Sequence, residues 1–313
     1  MRAAFVERLG PPDNIRYGTL PDPSPAPDEV LVDVLATTVN PVDTFVRSGA
    51  FRTEVVLPLV LSRDLVGTVT EPAHGFERGD LVWCNSLGHG GRQGAAASRA
   101  VVPADRLYRL PSGVDPVTAV SVVHPAATAY LALYTHGLLR PDARVLVIGG
   151  GGNVGSAAVA MAASAGATVH ATASARDVDY CRSLGAASAV DYRSPAWPGE
   201  VDLIVECAGV NDLPTLVGLL APRGRIVLLA GAATRPVLPV GPLYLNDCSI
   251  AGFVISHATV TELAEASAEV NRLLAAGVLR PREVEELPLS AAARTHRRME
   301  NGELHGRRVV LRP

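Results

Sequence analysis

Apolar residues follow two different rhythms along this chain. In the first third, short apolar runs alternate with Gly and Pro punctuation. Val30 to Ala36 is a mostly apolar run opened by the Pro-rich stretch Pro21 to Pro27. Asp64 to Val69 and Asp80 to Trp83 read as further strands, each beside Gly or Pro. Several short strands with turns at close spacing predict a compact β-rich domain. From Arg144 the rhythm changes. Arg144 to Ile148 is a continuous aliphatic strand that runs into glycines, and Val154 to Ala165 is an Ala-rich helix. Strand Thr168 to Ala173, helix Val178 to Leu184 and a short strand at Ala189-Val190 come next. Strands Val201 to Val205 and Arg225 to Leu229 follow, with Leu213 to Leu220 helical between them. This alternation predicts βαβ units and a parallel sheet buried on both faces. Right-handed crossovers then make the sheet doubly wound. Two amphipathic helices, Val260 to Ala276 and Ala291 to Glu300, precede a lone strand, Arg308 to Leu311. The β-rich first domain is its expected partner.

A length of 313 residues suggests about two domains at roughly 150 residues each. Apolar residues make up 48% and charged residues 19%, which suits a packed core rather than a disordered chain. A net charge of −3 argues against a nucleic-acid partner, which usually meets a basic patch. No apolar run is expected to reach the roughly 18 residues of a membrane helix. Glu7 interrupts the start before any long apolar region, so no secretory leader is expected. Cys84, Cys181, Cys207 and Cys248 form no Cys-x-x-Cys pair, so neither a zinc knuckle nor a disulfide scaffold is indicated. The expectation is a cytoplasmic protein with no nucleic-acid or membrane partner. All 28 basic side chains are Arg, which removes lysine Schiff-base chemistry.

Gly150-Gly151-Gly152-Asn153-Val154-Gly155 fits G-x-G-x-x-G, preceded by one more Gly, Gly149. It follows a predicted strand and opens a predicted helix, the context that a dinucleotide site requires. Gly150 makes the tight turn, Gly152 lets backbone approach a pyrophosphate, and Gly155 lets helix and strand pack closely. The helix N-terminus offers free N–H groups to phosphate; Asn153 and Val154 lie at that point, Asn153 placed to touch a phosphate or cap the helix. An NAD site wants an acid at the end of the second strand. Here that strand ends in Ala173-Ser174-Ala175-Arg176, with no acid before Asp177. A hydroxyl at Ser174 and a guanidinium at Arg176 suit a 2′-phosphate, so NADPH is the expected cofactor.

Further segments carry a family resemblance. Asn40-Pro41-Val42-Asp43-Thr44-Phe45-Val46-Arg47-Ser48-Gly49, Leu61-Ser62-Arg63-Asp64-Leu65-Val66-Gly67, Phe76-Glu77-Arg78-Gly79-Asp80-Leu81-Val82, Thr128-Ala129-Tyr130 and Gly306-Arg307-Arg308-Val309-Val310-Leu311 are spread over nearly the whole chain. Together they resemble the medium-chain dehydrogenase/reductase superfamily, in its zinc-free quinone oxidoreductase (zeta-crystallin-like) branch. The resemblance implies an α/β fold: a GroES-like catalytic domain, 1–121 and 259–313, around an inserted Rossmann NADP-binding domain, 122–258. It implies NADPH and a small-molecule substrate, a quinone or an alkene conjugated to a carbonyl. It places Thr128, Tyr192, Cys207, Ala208, Gly231, Phe253 and Val254 beside the cofactor, and a homodimer contact near Arg235 to Ser249. It also implies no metal: zinc-dependent relatives carry Cys where Asn40 stands and a His in the segment that here reads Ser62-Arg63-Asp64.

Hydride transfer needs positioning of the two partners and stabilisation of charge developing on a carbonyl or quinone oxygen. Under the resemblance Asn40 offers an amide N–H there, Arg63 adds a cation, and Asp43 orients its neighbours. Phe45 lines the substrate cleft where many relatives have Tyr, so the hydroxyl that would donate a proton is missing; quinones suit this better than enoyl thioesters. Other readings are a tailoring enoyl or enone reductase and a non-catalytic NADPH-binding protein.

Overall fold

The computed structural model describes residues 1–194 and 196–313. The chain divides into two units, Met1–His124 with Arg280–Pro313, and Pro125–Leu279. The expected domains joined at 121/122 and 258/259. The helix Val260–Ala275, expected with the first domain, groups with the second unit, where it packs on the helical turn Leu131–Thr135.

In the first unit the strand Glu29–Thr38 is the hub. Val30, Val32 and Val34 are buried while Leu31 and Asp33 are less so, the period-two signature of a strand on a core. It pairs antiparallel with Leu65–Val69, with Arg99–Pro103 and with the closing strand Arg307–Arg312. The C-terminal strand thus finds its partner in the β-rich unit, with Val310 opposite Thr38 and Leu311 opposite Thr37. It also pairs in parallel with Glu283–Pro288. At its far end the hub strand is buried on both faces, Thr37 and Thr38 included. A separate small sheet, Ile15–Thr19, Arg2–Val6 and Leu59–Val60, was not visible in the apolar pattern.

The second unit is a six-stranded parallel sheet. Its order is Ser188–Asp191, Thr168–Ala173, Arg144–Ile148, Val201–Glu206, Leu220–Leu228 and Ser249–Gly252. Strand order reverses between Arg144–Ile148 and Val201–Glu206. Their ends are level, Ile148 opposite Glu206. Leu146, Ile148, Ile204, Leu216, Val217 and Ile226 build one face of its core. The helix Pro116–Tyr130 continues as a π turn, Leu131–Thr135. This segment corrects one expectation: Pro116–Thr135 is long and apolar enough to cross a membrane by length and composition, though 72% of its most apolar window is buried within the fold.

Candidate active site

In the first unit, a buried polar cluster forms where the hub strand ends. Asn40 follows that strand and caps the helix Pro41–Ser48. The Pro at the helix start suits this position, because its missing N–H would have no partner there. Asn40 is 3% exposed. Its backbone N–H donates to Asp43 Oδ2 at 2.7 Å, the reciprocal half of a capping box. Its side-chain Nδ2 donates to Asp64 Oδ2 at 2.7 Å, and its Oδ1 accepts from Arg308 Nη2 at 2.9 Å. Asp64 is fully buried and also accepts from Thr38 Oγ1 at 3.1 Å and sits 3.0 Å from His124 Nδ1.

The charges in this cluster set one another. Burial, and then the nearby Asp64 charge, push the Asp43 carboxyl up to about 6 against the pull of Arg63. Burial alone would raise Asp64 too, but His124, Asn40 and Arg308 together hold it below the ordinary carboxylate range. Arg63 Nε lies 3.9 Å from Asp43 Oδ1, and its guanidinium sits 5.7 Å from the Phe51 ring centroid. Asn40, Asp43 and Arg63 are therefore brought together. Phe45 lies on the same short helix with half its surface exposed. Ser62 takes φ of +68°, the left-handed region that glycine adopts without strain.

From the sequence, Asn40 offers an amide N–H with no partner assigned to it. The structure commits both ends of its amide. The sequence also assigns no partner role to Thr38, Asp64, His124 and Arg308. Their numbers are far apart, so spacing gave no hint, but an Arg inside the apolar closing strand was a signal.

In the second unit, Gly149 turns the chain at φ +82°, and the N–H groups of Gly149 and Gly150 donate to Thr172 O at 3.0 and 2.8 Å. This ties the turn to the neighbouring strand. The helix Asn153–Ser164 starts there with Gly152 as its N-cap and no capping side chain. Asn153 is thus the first helical residue, exposed, and does not cap the helix as expected. Val154 is half-buried and Gly155 buried. The free N–H groups of this helix face the loop end, the geometry of an anion site.

At the end of Thr168–Ala173, Ser174 Oγ donates to Asp177 Oδ2 at 2.5 Å. This corrects the picture of a free Ser174 hydroxyl: its proton is directed inward, leaving its oxygen as an acceptor. Asp177 is 1% exposed and packs beneath the glycine turn, where a Cβ on Gly151 would lie 2.9 Å from its carboxylate. Arg176 is exposed. Tyr192 N–H donates to Ala173 O at 3.0 Å, which holds this half-exposed ring at the same strand end. Arg193, not anticipated, places a second guanidinium 5.5 Å from that ring centroid.

Beyond Val201–Glu206 the fully buried Glu206 turns its carboxylate onto the loop, accepting the N–H groups of Ala208 at 2.9 Å and Gly209 at 2.9 and 3.0 Å. Sequence reasoning missed it; an acid ending an apolar strand was the available sign. Burial and then the Glu206 charge push the Cys207 thiol above its ordinary value, which disfavours the thiolate. Gly149 lies against Ala208, and Gly209 against Gly231, so the loops after three adjacent strands abut. Phe253 stacks on His136 at 4.3 Å, Val254 is exposed, and Thr128 is half-buried on its helix.

Residues 26–112 match the family described as alcohol dehydrogenase GroES-like domain, and 152–271 that described as zinc-binding dehydrogenase. Human quinone oxidoreductase is 27% identical over 316 residues, covering 96% of this chain and 94% of that one. A solved structure described as an NAD-dependent alcohol dehydrogenase superposes with TM-score 0.87 at 30% identity, each chain covered in full. A mycobacterial protein solved with NADPH superposes with TM-score 0.84 at 26% identity, again covering both chains in full. The chain belongs to the medium-chain dehydrogenase/reductase superfamily.

As an oxidoreductase of this superfamily, it must be tested for zinc, which one family description names. Among the described residues, no three His, Cys, Asp or Glu side chains stand together to hold an ion. Asp64 and His124 bond each other directly, and Asn40, Arg63 and Arg308 fill the surroundings with an amide and two guanidinium groups. Structural and catalytic zinc sites need three or four nitrogen, sulfur or carboxylate ligands. The donor set does not fit zinc.

Proposed function

We propose that this protein is an NADPH-dependent oxidoreductase that transfers hydride to a quinone or another alkene conjugated to a carbonyl, without metal. The observation that carries the reading is the pair of loops at the strand-order reversal. There the glycine turn with its helix N-terminus, Gly149 to Gly155, abuts through Gly149 the loop that Glu206 organises. Open parallel sheets bind dinucleotides at this point. The NADPH complex of the mycobacterial relative supports the same reading, while the NAD in another relative's description makes the cofactor choice worth testing. NADPH, when bound, supplies the hydride.

The chain's own residues do the rest. Gly152 and the N–H groups of the helix Asn153–Ser164 receive the pyrophosphate. Arg176 and Arg193 meet the 2′-phosphate beside Tyr192, with Ser174 holding Asp177 and thereby the strand end. Thr128, Cys207, Ala208, Gly231, Phe253 and Val254 bound the cofactor through backbone and packing. In the first unit, Asn40 donates one amide N–H to the oxygen that gains charge, Arg63 makes the local field positive, and Asp43 fixes the Asn40 backbone. Phe45 contributes an apolar wall and no proton. The proton comes from water or another group, or the substrate needs no specific protonation, and the last case suits a quinone.

The edge strand Ser249–Gly252 is preceded in the chain by exposed Val237, Tyr244 and Leu245, which supports a homodimer through this edge.

The test is NADPH consumption at 340 nm against a benzoquinone, a naphthoquinone, an enone and an enoyl thioester, with NADH in parallel. Quinone turnover with NADPH and its loss in Arg176→Ala support the proposal. Turnover of only the thioester, or equal use of NADH by wild type, overturns the substrate or the cofactor assignment respectively.

A further inference from the structure

Arg308 occupies a position that the strand pattern reserves for an apolar side chain. It shares a face of Arg307–Arg312 with Val310, and the two are 4% and 0% exposed. Burying a guanidinium is expensive unless its donors are used. Its Nη2 donates to Asn40 Oδ1 at 2.9 Å and to Thr38 Oγ1 at 3.1 Å, while Nε has no hydrogen-bond partner among the described residues. These partners are neutral. Pairing with a carboxylate does not account for this geometry.

The consequence falls on Asn40. Its amide lies between Arg308 and Asp64. A guanidinium can only donate, and an ionised carboxylate can only accept. The amide therefore has one permitted orientation, oxygen toward Arg308 and nitrogen toward Asp64. One Nδ2 hydrogen goes to Asp64 and the second keeps a fixed direction. Thr38 closes the ring, accepting from Arg308 and donating to Asp64 Oδ2 at 3.1 Å.

We propose that Arg308, delivered by the C-terminal strand, is a positioning residue that locks the flip of the Asn40 amide and so aims its second N–H. The proposal rests on the reading of Asn40 as the donor to the substrate oxygen.

The experiment uses the full chain, with asparagine selectively ¹⁵N-labelled, as wild type, Arg308→Met and Arg308→Lys. The Asn40 side-chain signals are identified by their loss in Asn40→Ala. In wild type these amide hydrogens exchange slowly and their two shifts are well separated. In Arg308→Met exchange accelerates at least about tenfold and the shifts converge, and Arg308→Lys, which keeps a donor and the charge, restores part of the protection. In turnover with the best quinone, Arg308→Met lowers kcat about 100-fold, as a misaimed group does, and leaves the KM for NADPH unchanged. Adding Asn40→Ala to it costs nothing further. Wild-type protection of the Asn40 amide in folded Arg308→Met, or independent multiplying effects of the two substitutions, overturns the proposal. If Arg308→Met does not fold, Arg308→Lys decides: partial protection with a partial fall in kcat supports the proposal, and no change in either overturns it. A wild-type protein without turnover sinks the functional reading alone, because the amide exchange still decides the positioning role.

Discussion

Two single-methyl substitutions in the glycine turn separate its structural work from its binding work. A Cβ on Gly155 would sit 2.2 Å from Gly149 O, 2.8 Å from Gly149 C and 2.9 Å from Gly150 Cα. All three are backbone atoms of the turn, and carbon contacts relax only near 3.5 Å. Gly155→Ala must therefore push helix and turn apart by about 1 Å. Overpacking of this kind costs about 1–3 kcal/mol, partly offset by the 0.5–1 kcal/mol or so that Ala gains over Gly inside a helix. With about 2–4 °C per kcal/mol for a chain of this order of size, the melting temperature falls by several degrees. Gly152 differs. Its φ of −79° suits any residue, and an added Cβ would meet only Gly149 O, at 3.4 Å. Loss of a glycine N-cap costs no more than about 1 kcal/mol. The methyl would instead stand on the exposed side of the turn, where a pyrophosphate must come close. Thermal melts and NADPH titration by fluorescence measure both effects on the same samples. Gly152→Ala should weaken NADPH at least about tenfold, out of proportion to its small change in melting temperature, whereas Gly155→Ala should lose stability and affinity together. Wild-type NADPH affinity in Gly152→Ala, or a wild-type melt for Gly155→Ala, would refute the reasoning.

Three further outcomes follow from buried charge and exposed apolar surface. Asp43 titrates near 6 in the folded chain, above its unfolded value, so the native state binds its proton more tightly. Its contribution to stability is full below about pH 4 and is lost as pH rises through about 6; urea denaturation should show wild type losing stability relative to Asp43→Asn across that window, and parallel curves would count against it. His296 is fully buried, its ring nitrogens have no hydrogen-bond partner among the described residues, and burial followed by the Arg47 charge pushes it down to about 3. The unfolded chain takes up this proton below about 6.5 and the native state does not, so stability falls with acid; His296→Leu should gain on wild type between pH 7 and 5, and an unchanged difference would exclude the mechanism. Leu245→Asp, at an exposed apolar position, tests the proposed homodimer: light scattering should show a dimeric wild type and a monomeric variant, and a monomeric wild type would overturn the proposed contact.

The parallel-sheet unit was legible because its strands need no context. After Arg144, the strand Arg144–Ile148 is buried on both faces, so Val145 to Ile148 are apolar without interruption. The glycines after it were legible for a related reason: the backbone of the turn itself, Gly149 and Gly150, crowds any Cβ at Gly155. The small sheet built on Arg2–Val6 was not legible, because its partners Ile15–Thr19 and Leu59–Val60 are short or half-exposed and carry little pattern.

The candidate site was legible only as single residues, and the reason is physical. Asn40, Asp43 and Arg63 could be named, but what they do depends on which groups their atoms face. The sequence suggests a Ser174 hydroxyl suited to a 2′-phosphate, yet buried Asp177 takes its proton. It suggests an Asn40 amide with no partner assigned, yet Asp64 and Arg308, 24 and 268 positions away, hold both of its ends. Polar residues of this kind carry no periodicity, so nothing along the chain announces their partners. What the sequence does carry is the exception: Arg308 in an apolar strand and Glu206 at the end of another break the expected pattern. Because a charged group at a buried strand position is costly unless its hydrogen bonds are made, such a break marks where a polar partner must be waiting. Both breaks lead to loops that carry candidate site residues, Arg308 to Asn40 and Glu206 to Ala208 and Gly209. In each unit the buried charge makes its hydrogen bonds to the segment that follows a strand end, Arg308 to the Asn40 amide and Glu206 to the backbone of Ala208 and Gly209.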